Sequence, residues 1–164
     1  NAGFLPKDHW TLSQDEGGGR NLGEACHIYD VFTFLTGSEF IDLSVQNITP
    51  QTEHYSSQDN FVATFKFKDG SVATLTYTAI GSKEFPKESM EIFCDGLVVN
   101  LNDYKKLEVS GGKLIHSSQS PEKGQMEEIV AFAESISQDK DWPIPLWQQF
   151  QVTEMAFAVN RELN

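Results

Sequence analysis

The sequence predicts an α+β fold: a mostly antiparallel, open β-sheet, with an N-terminal helix and two C-terminal helices packed on one face. Three observations carry this. A helix-period stretch comes first, segments of two-residue period joined by glycine turns fill the middle, and two helix-period stretches behind prolines close the chain. A doubly wound sheet would alternate strand and helix throughout. This order does not.

Residues Asn1 to Glu16 read as polar and irregular after a short apolar opening. Gly17-Gly18-Gly19 leads into a helix from Arg20 to Thr36, with Leu22, Cys26, Tyr29 and Val31 to Leu35 as its apolar side and Gly37 as its stop. Phe40 to Ile48 is β-prone and ends before Pro50. Phe61, Ala63, Phe65 and Phe67 alternate with Val62, Thr64, Lys66 and Lys68, a strand with one apolar face, and Asp69-Gly70 turns it into Val72 to Ile80. Glu88 to Cys94 and Leu97 to Leu101 form a second hairpin about Asp95-Gly96, and Lys106 to Val109 with Leu114 to His116 a third. Glu122 to Ser137 carries Met126, Ile129, Val130, Phe132, Ala133 and Ile136 at helical spacing. The last helix, Leu146 to Leu163, offers Trp147, Phe150, Met155, Phe157 and Val159 for burial.

The 164 residues suit one domain, residues 1–164, with a single core that the twelve Phe help to fill. A net charge of −12, spread along the chain, repels phosphate backbones and anionic lipid, so nucleic acid and membrane are not expected partners. No apolar run approaches the ~20 residues that cross a bilayer. Cys26 and Cys94 lack CxxC spacing and are expected to be reduced thiols in a cytoplasmic protein. The chain opens without Met, as a piece of a longer protein would.

Gly17, Gly19 and Gly23 spell GxGxxxG, but a dinucleotide loop must be delivered by a buried apolar strand, and Thr11 to Glu16 is too polar for that. The glycines are read instead as a sharp, closely packed turn before a helix. On that helix Arg20, Glu24 and His27 fall at i, i+4 and i+7, with Asp30 beside the stripe. An imidazole flanked by carboxylates has the parts of a proton-transfer site. The same spacing also describes an Arg–Glu pair that only solvates a surface. No second His or Cys stands at ligand distance in sequence, so no metal is expected.

The stretch Asn1-Ala2-Gly3-Phe4-Leu5-Pro6-Lys7-Asp8-His9-Trp10, with Gly17-Gly18-Gly19-Arg20-Asn21-Leu22-Gly23-Glu24-Ala25-Cys26-His27-Ile28-Tyr29-Asp30, resembles the C-terminal domain of the Gfo/Idh/MocA oxidoreductases. The GGGR-x-x-GE-x-CH-x-x-D form is most like the bi-domain oxidoreductase members. The detailed match spans roughly the first 37 residues, and the remainder agrees in element order. The resemblance implies NAD or NADP on a separate Rossmann domain absent from this chain, with substrate held between the two. It implies His27 as general acid/base, with Glu24 or Asp30 orienting it. It also implies Trp10 and His9 on the side of a sugar-like substrate, with Lys7 and Arg20 as the nearest cations. Many members carry a catalytic Asp where this chain has Gly23, and no Glu-Lys-Pro occurs. A fragment of this kind would bind no cofactor tightly and would be inactive alone. Homodimerisation through the sheet face is a further expectation, and the rival reading is a non-catalytic ligand-binding or oligomerisation module.

Overall fold

The computed structural model describes residues 1–164 other than Phe4, Lys7, Gln14 and residues 113–115. Two compact units emerge, one from Ala2–Gly81 with Ile144–Asn164, the other from Asn1 with Ser82–Pro143.

In the first unit, strands β1 (Phe40–Asn47), β2 (Phe61–Phe67) and β3 (Val72–Tyr77) form an antiparallel sheet in the order β1-β2-β3. The alternation along β2 is decisive. Phe61, Ala63, Phe65 and Phe67 are all buried, while Val62, Lys66 and Lys68 face out. Register pairs Leu43 with Phe65 and Phe65 with Ala73, so one face is apolar across all three strands. Helices α1 (Cys26–Thr36) and, after the numbering of the second unit, α3 (Leu146–Leu163) pack together beside that sheet. Tyr29 and Phe32 of α1 meet Phe65 edge-on, at centroid distances of 5.0 and 6.2 Å. Burying a side chain such as Phe65 contributes roughly 2–3 kcal/mol. Gly37 stops α1 as expected: at φ +58° it adopts the left-handed conformation and donates its N–H to the Thr33 carbonyl at 2.9 Å.

The second unit holds β4 (Ser89–Cys94), β5 (Leu97–Asn102), β6 (Lys106–Ser110) and β7 (His116–Ser117) as an antiparallel meander, and helix α2 (Gln125–Ser137). Asp95 and Gly96, both at positive φ, make the tight turn between β4 and β5. Of the expected strand Leu114 to His116, Leu114 and the residue after it lie outside the described residues.

The α+β class with open antiparallel strands holds, and the strands divide between two sheets. Burial departs from expectation on two helices. On α2, Met126, Ile129, Val130, Phe132 and Ile136 are exposed rather than buried, and Phe132 stacks on Trp142 at 5.3 Å. On α3, Trp147 and Phe150 are exposed, and the inward face instead begins with Gln148 and Gln151 before Met155 and Val159. The reason is polar. Gln151 Nε2 donates to Thr33 Oγ1 and to the Ser38 carbonyl, and its Oε1 accepts the Phe40 N–H. These amides satisfy groups at the end of α1 and the start of β1 that an aromatic side chain could not.

Both cysteines are free, Cys26 partly buried and Cys94 exposed. Among the described residues no helix is long and apolar enough to cross a membrane.

Candidate functional site

The glycine run shapes the entry to the site. A Cβ on Gly17 would stand 2.7 Å from the Trp10 carbonyl oxygen and 2.9 Å from Thr11 Cα, both backbone. Gly18 and Gly19 follow at φ +70° and +76°. What precedes them is a short 3₁₀ turn, Trp10–Leu12, not a strand. The run therefore packs against its own upstream turn, as expected of a sharp turn before a helix.

The chain then enters a five-residue π-helical segment, Asn21–Ala25, before α1 proper begins at Cys26. The sequence spacing had suggested α-helix throughout. Wide turns of this kind recur at functional sites. Buried Asn21 anchors the segment: its Nδ2 donates to the Ala156 carbonyl of α3 at 2.8 Å, and its Oδ1 accepts the Tyr29 hydroxyl at 2.7 Å.

Arg20, at the mouth of the segment, is 5% exposed. Its Nε donates to the Tyr77 hydroxyl at 2.9 Å, Nη1 to the Gly3 carbonyl, and Nη2 to the Ala2 carbonyl and to Glu24 Oε2 at 3.2 Å. The Tyr77 hydroxyl in turn donates to the same Oε2 at 2.6 Å. Burial first, and then the neighbouring Glu24 carboxylate, push the Tyr77 pKa upward, so its hydroxyl stays a donor. Arg20, Glu24 and Tyr77 thus tie the N-terminal segment, the helix and β3 together. The sequence had marked Tyr77 only as a residue that could line a cleft, because nothing local announces a partner 53 positions upstream.

His27 is exposed, and its Nδ1 bonds the main-chain carbonyl of Glu24. With Nδ1 donating, the neutral ring carries its basic lone pair on Nε2. The Glu24 main-chain carbonyl thus bonds His27, and its carboxylate bonds Arg20 and Tyr77. Asp30 accepts a 2.7 Å hydrogen bond from Gln148 of α3. Burial raises the thiol pKa of Cys26, between them, which does not suit a nucleophile.

Trp10 is 60% exposed and stacks on His9, with ring centroids 6.1 Å apart. His9 is itself held by Thr11, whose Oγ1 lies 2.8 Å from Nδ1. Lys7 lies outside the described residues. No group of three or more His, Cys, Asp or Glu among the described residues could hold a metal ion. A cavity of about 260 Å³ opens in the same unit, between the N-terminal segment and residues 53–60, and Arg20 reaches its wall. Neither His27 nor Trp10 lines it. Sequence reading assigned nothing to residues 53–60.

Comparison with known proteins places this architecture. No curated protein matches the chain. Solved structures do. UDP-N-acetylglucosamine 3-dehydrogenase GnnA from Acidithiobacillus ferrooxidans superposes with a TM-score of 0.76 at 19% identity, over 96% of this chain and 49% of that one. An NAD binding oxidoreductase from Klebsiella pneumoniae gives a TM-score of 0.76 at 15% identity, over 98% of this chain and 52% of that one. Biliverdin reductase from Synechocystis sp. PCC 6803, solved with biliverdin and NADP+, gives 0.66 at 15% identity, over 98% and 50%. These likenesses show the fold, and the chain spans about half the length of each relative. The model of the GFO/IDH/MocA C-terminal domain matches residues 1–97, which hold the glycine turn, the π-helical segment, His27 and the Tyr77 network, and the chain belongs to that family.

Proposed function

We propose that this chain is the substrate-facing, proton-handling part of an NAD(P)-dependent oxidoreductase acting on a sugar-like alcohol or ketone. The observation that carries the reading is His27, exposed at the start of α1 with Nδ1 held by the Glu24 carbonyl. That hydrogen bond fixes the tautomer and aims Nε2 as the atom that takes the proton from a carbinol or returns it to a ketone. Arg20 and Tyr77 act from behind: by gripping the Glu24 carboxylate they hold the carbonyl that holds His27. Asp30 fixes the far side of the same turn against α3. Trp10 offers an exposed aromatic face of the kind that stacks on a sugar ring, with His9 bracing it. Lys7 is the remaining cation proposed for the substrate side.

A bound nicotinamide would supply the hydride chemistry. The glycines here do not fit a pyrophosphate cradle, because Gly17 is already in contact with the turn formed by Trp10 and Thr11. The dinucleotide is accordingly assigned to another part of the parent protein, the chain alone is proposed to be inactive, and the compartment is proposed to be the cytoplasm. The rival reading, a non-catalytic module that binds ligand or assembles through its sheet, is favoured by one observation: the Glu24 carboxylate is committed to a structural network.

His27→Ala in the full-length parent separates the two. Turnover should fall by at least about a hundredfold, the usual loss with a general base, with oligomer size unchanged. Unchanged turnover would remove the proposal, and a changed oligomer with intact turnover would favour the module. An NADH fluorescence titration of the isolated chain should show no micromolar binding.

A further inference from the structure

The cavity of about 260 Å³ is lined by a carboxylate with no hydrogen-bond partner among the described residues. Asp59 is 8% exposed and lines the cavity, and among the described residues nothing hydrogen-bonds its carboxylate. Burial raises its pKa, and only the field of Arg20 opposes this. That field is weak compensation, since the Arg20 N–H groups go to Tyr77, Glu24 and the carbonyls of Ala2 and Gly3. The carboxylate of a residue so largely buried therefore meets the cavity rather than another side chain among the described residues.

The backbone around Asp59 is built rather than loose. Neighbouring Asn60 accepts the Ala79 N–H at 2.9 Å and the Thr78 hydroxyl at 3.1 Å, and its Nδ2 donates to the Ser56 carbonyl at 2.9 Å. The Asn60 carbonyl accepts the Ile48 N–H, and the Asp59 N–H bonds the Ser56 carbonyl. Three segments therefore fix the position from which Asp59 meets the cavity. A site held this way loses little order on binding.

We propose that this cavity binds a small hydroxylated primary amine, whose ammonium group pairs with Asp59. The charge balance selects the ammonium. The Arg20 charge is already matched by Glu24, whereas Asp59 on the wall has no ion pair among the described residues. A neutral hydroxyl would give Asp59 a hydrogen bond and leave its charge unmatched; an ammonium gives both. The volume lies below the roughly 300–1,000 Å³ of drug-sized sites, so the ligand is of monosaccharide size. Polar neighbours Ser56 and Gln58 suit its hydroxyl groups. The inference does not rest on His27, which does not line the cavity, and its outcome leaves the dehydrogenase reading untouched.

Matched probes test it. D-glucosamine and D-glucose share one skeleton and differ by the amine, which is protonated at about pH 6.5. Amide NMR of the chain should show saturable shifts at residues 53–60 and Ala79 with glucosamine, with glucose at least about tenfold weaker. Asp59→Asn, which breaks no hydrogen bond seen in the fold, should abolish the preference. Ala79→Leu, which fills the cavity and leaves the carboxylate intact, should abolish binding altogether. No saturation by ~50 mM, equal binding of the two sugars, or retained preference in Asp59→Asn would each overturn the proposal. Should Asp59→Asn fail to fold, retained glucosamine binding in Ala79→Leu would overturn it alone.

Discussion

Tyr77→Phe removes one oxygen atom and should be among the costlier single changes in this protein. The hydroxyl accepts from Arg20 Nε at 2.9 Å and donates to Glu24 Oε2 at 2.6 Å, and both partners are charged. Arg20 is 5% exposed, so its Nε–H loses its acceptor without gaining water, a desolvation cost of about 1–3 kcal/mol. Glu24 is 25% exposed and keeps access to solvent, so the second bond costs less, about 1 kcal/mol. Phe buries a little more easily than Tyr, which offsets part of this. The net loss should be about 1–3 kcal/mol, a fall in Tm of roughly 2–12 °C for a chain of this length. Urea denaturation gives the free energy, and a double-mutant cycle with Glu24→Gln isolates the coupling, expected at about 1–3 kcal/mol. A loss below ~0.5 kcal/mol, or no coupling to Glu24, would mean that the hydroxyl is not a working part of the network. The buttress assigned to His27 would then lose its basis.

Two further outcomes follow from the same geometry. Burial raises the pKa of Tyr29 and, with the Glu24 carboxylate, of Tyr77, and burial with the Glu88 charge pushes Tyr104 up to about 12. A tyrosine that holds its proton more tightly when folded stabilises fully below the unfolded value of about 10 and loses that contribution as pH rises through the folded one. Differential scanning fluorimetry should accordingly find Tm falling above about pH 10, less steeply in Tyr77→Phe; equal slopes in the two proteins would contradict this. Gly17→Ala should cost about 2–3 kcal/mol, because its Cβ meets backbone that cannot move aside, against about 1 kcal/mol for Gly37→Ala, where only the left-handed φ objects. Equal melting temperatures for the two variants would show that close approach is not what requires the glycine.

The element order was legible because it is written locally. Alternation along Phe61–Phe67 and the turns at Asp69-Gly70 and Asp95-Gly96 each depend on neighbours within a few residues. Burial on α3 was not legible for a complementary reason. Trp147 and Phe150 look like core residues by hydropathy, yet the inward positions carry Gln148 and Gln151, whose partners Asp30, Thr33 and Phe40 lie more than a hundred residues away. The site shows the same division. The stripe of Arg20, Glu24 and His27 could be read from spacing, and the Arg20–Glu24 pair forms at 3.2 Å. What spacing could not supply was Tyr77, which turns that pair into a junction of three segments. It also could not supply Asp59, which the folded loop sets in the cavity wall with no hydrogen bond to its carboxylate among the described residues.

The family resemblance leads one to expect an aspartate at position 23, and the geometry gives the glycine found there a physical cause. A Cβ at position 23 would lie 3.2 Å from the Gly17 carbonyl oxygen, closer than most side chains come to anything. The glycine turn that presses on Trp10 and Thr11 also crowds the position that a Cβ at residue 23 would take. The carboxylate of Glu24, one residue on, bonds Arg20 and Tyr77. Its main-chain carbonyl bonds His27. A carbonyl cannot titrate, so it holds the imidazole in one tautomer at every pH where the ring is neutral, a constancy that a carboxylate partner would not give.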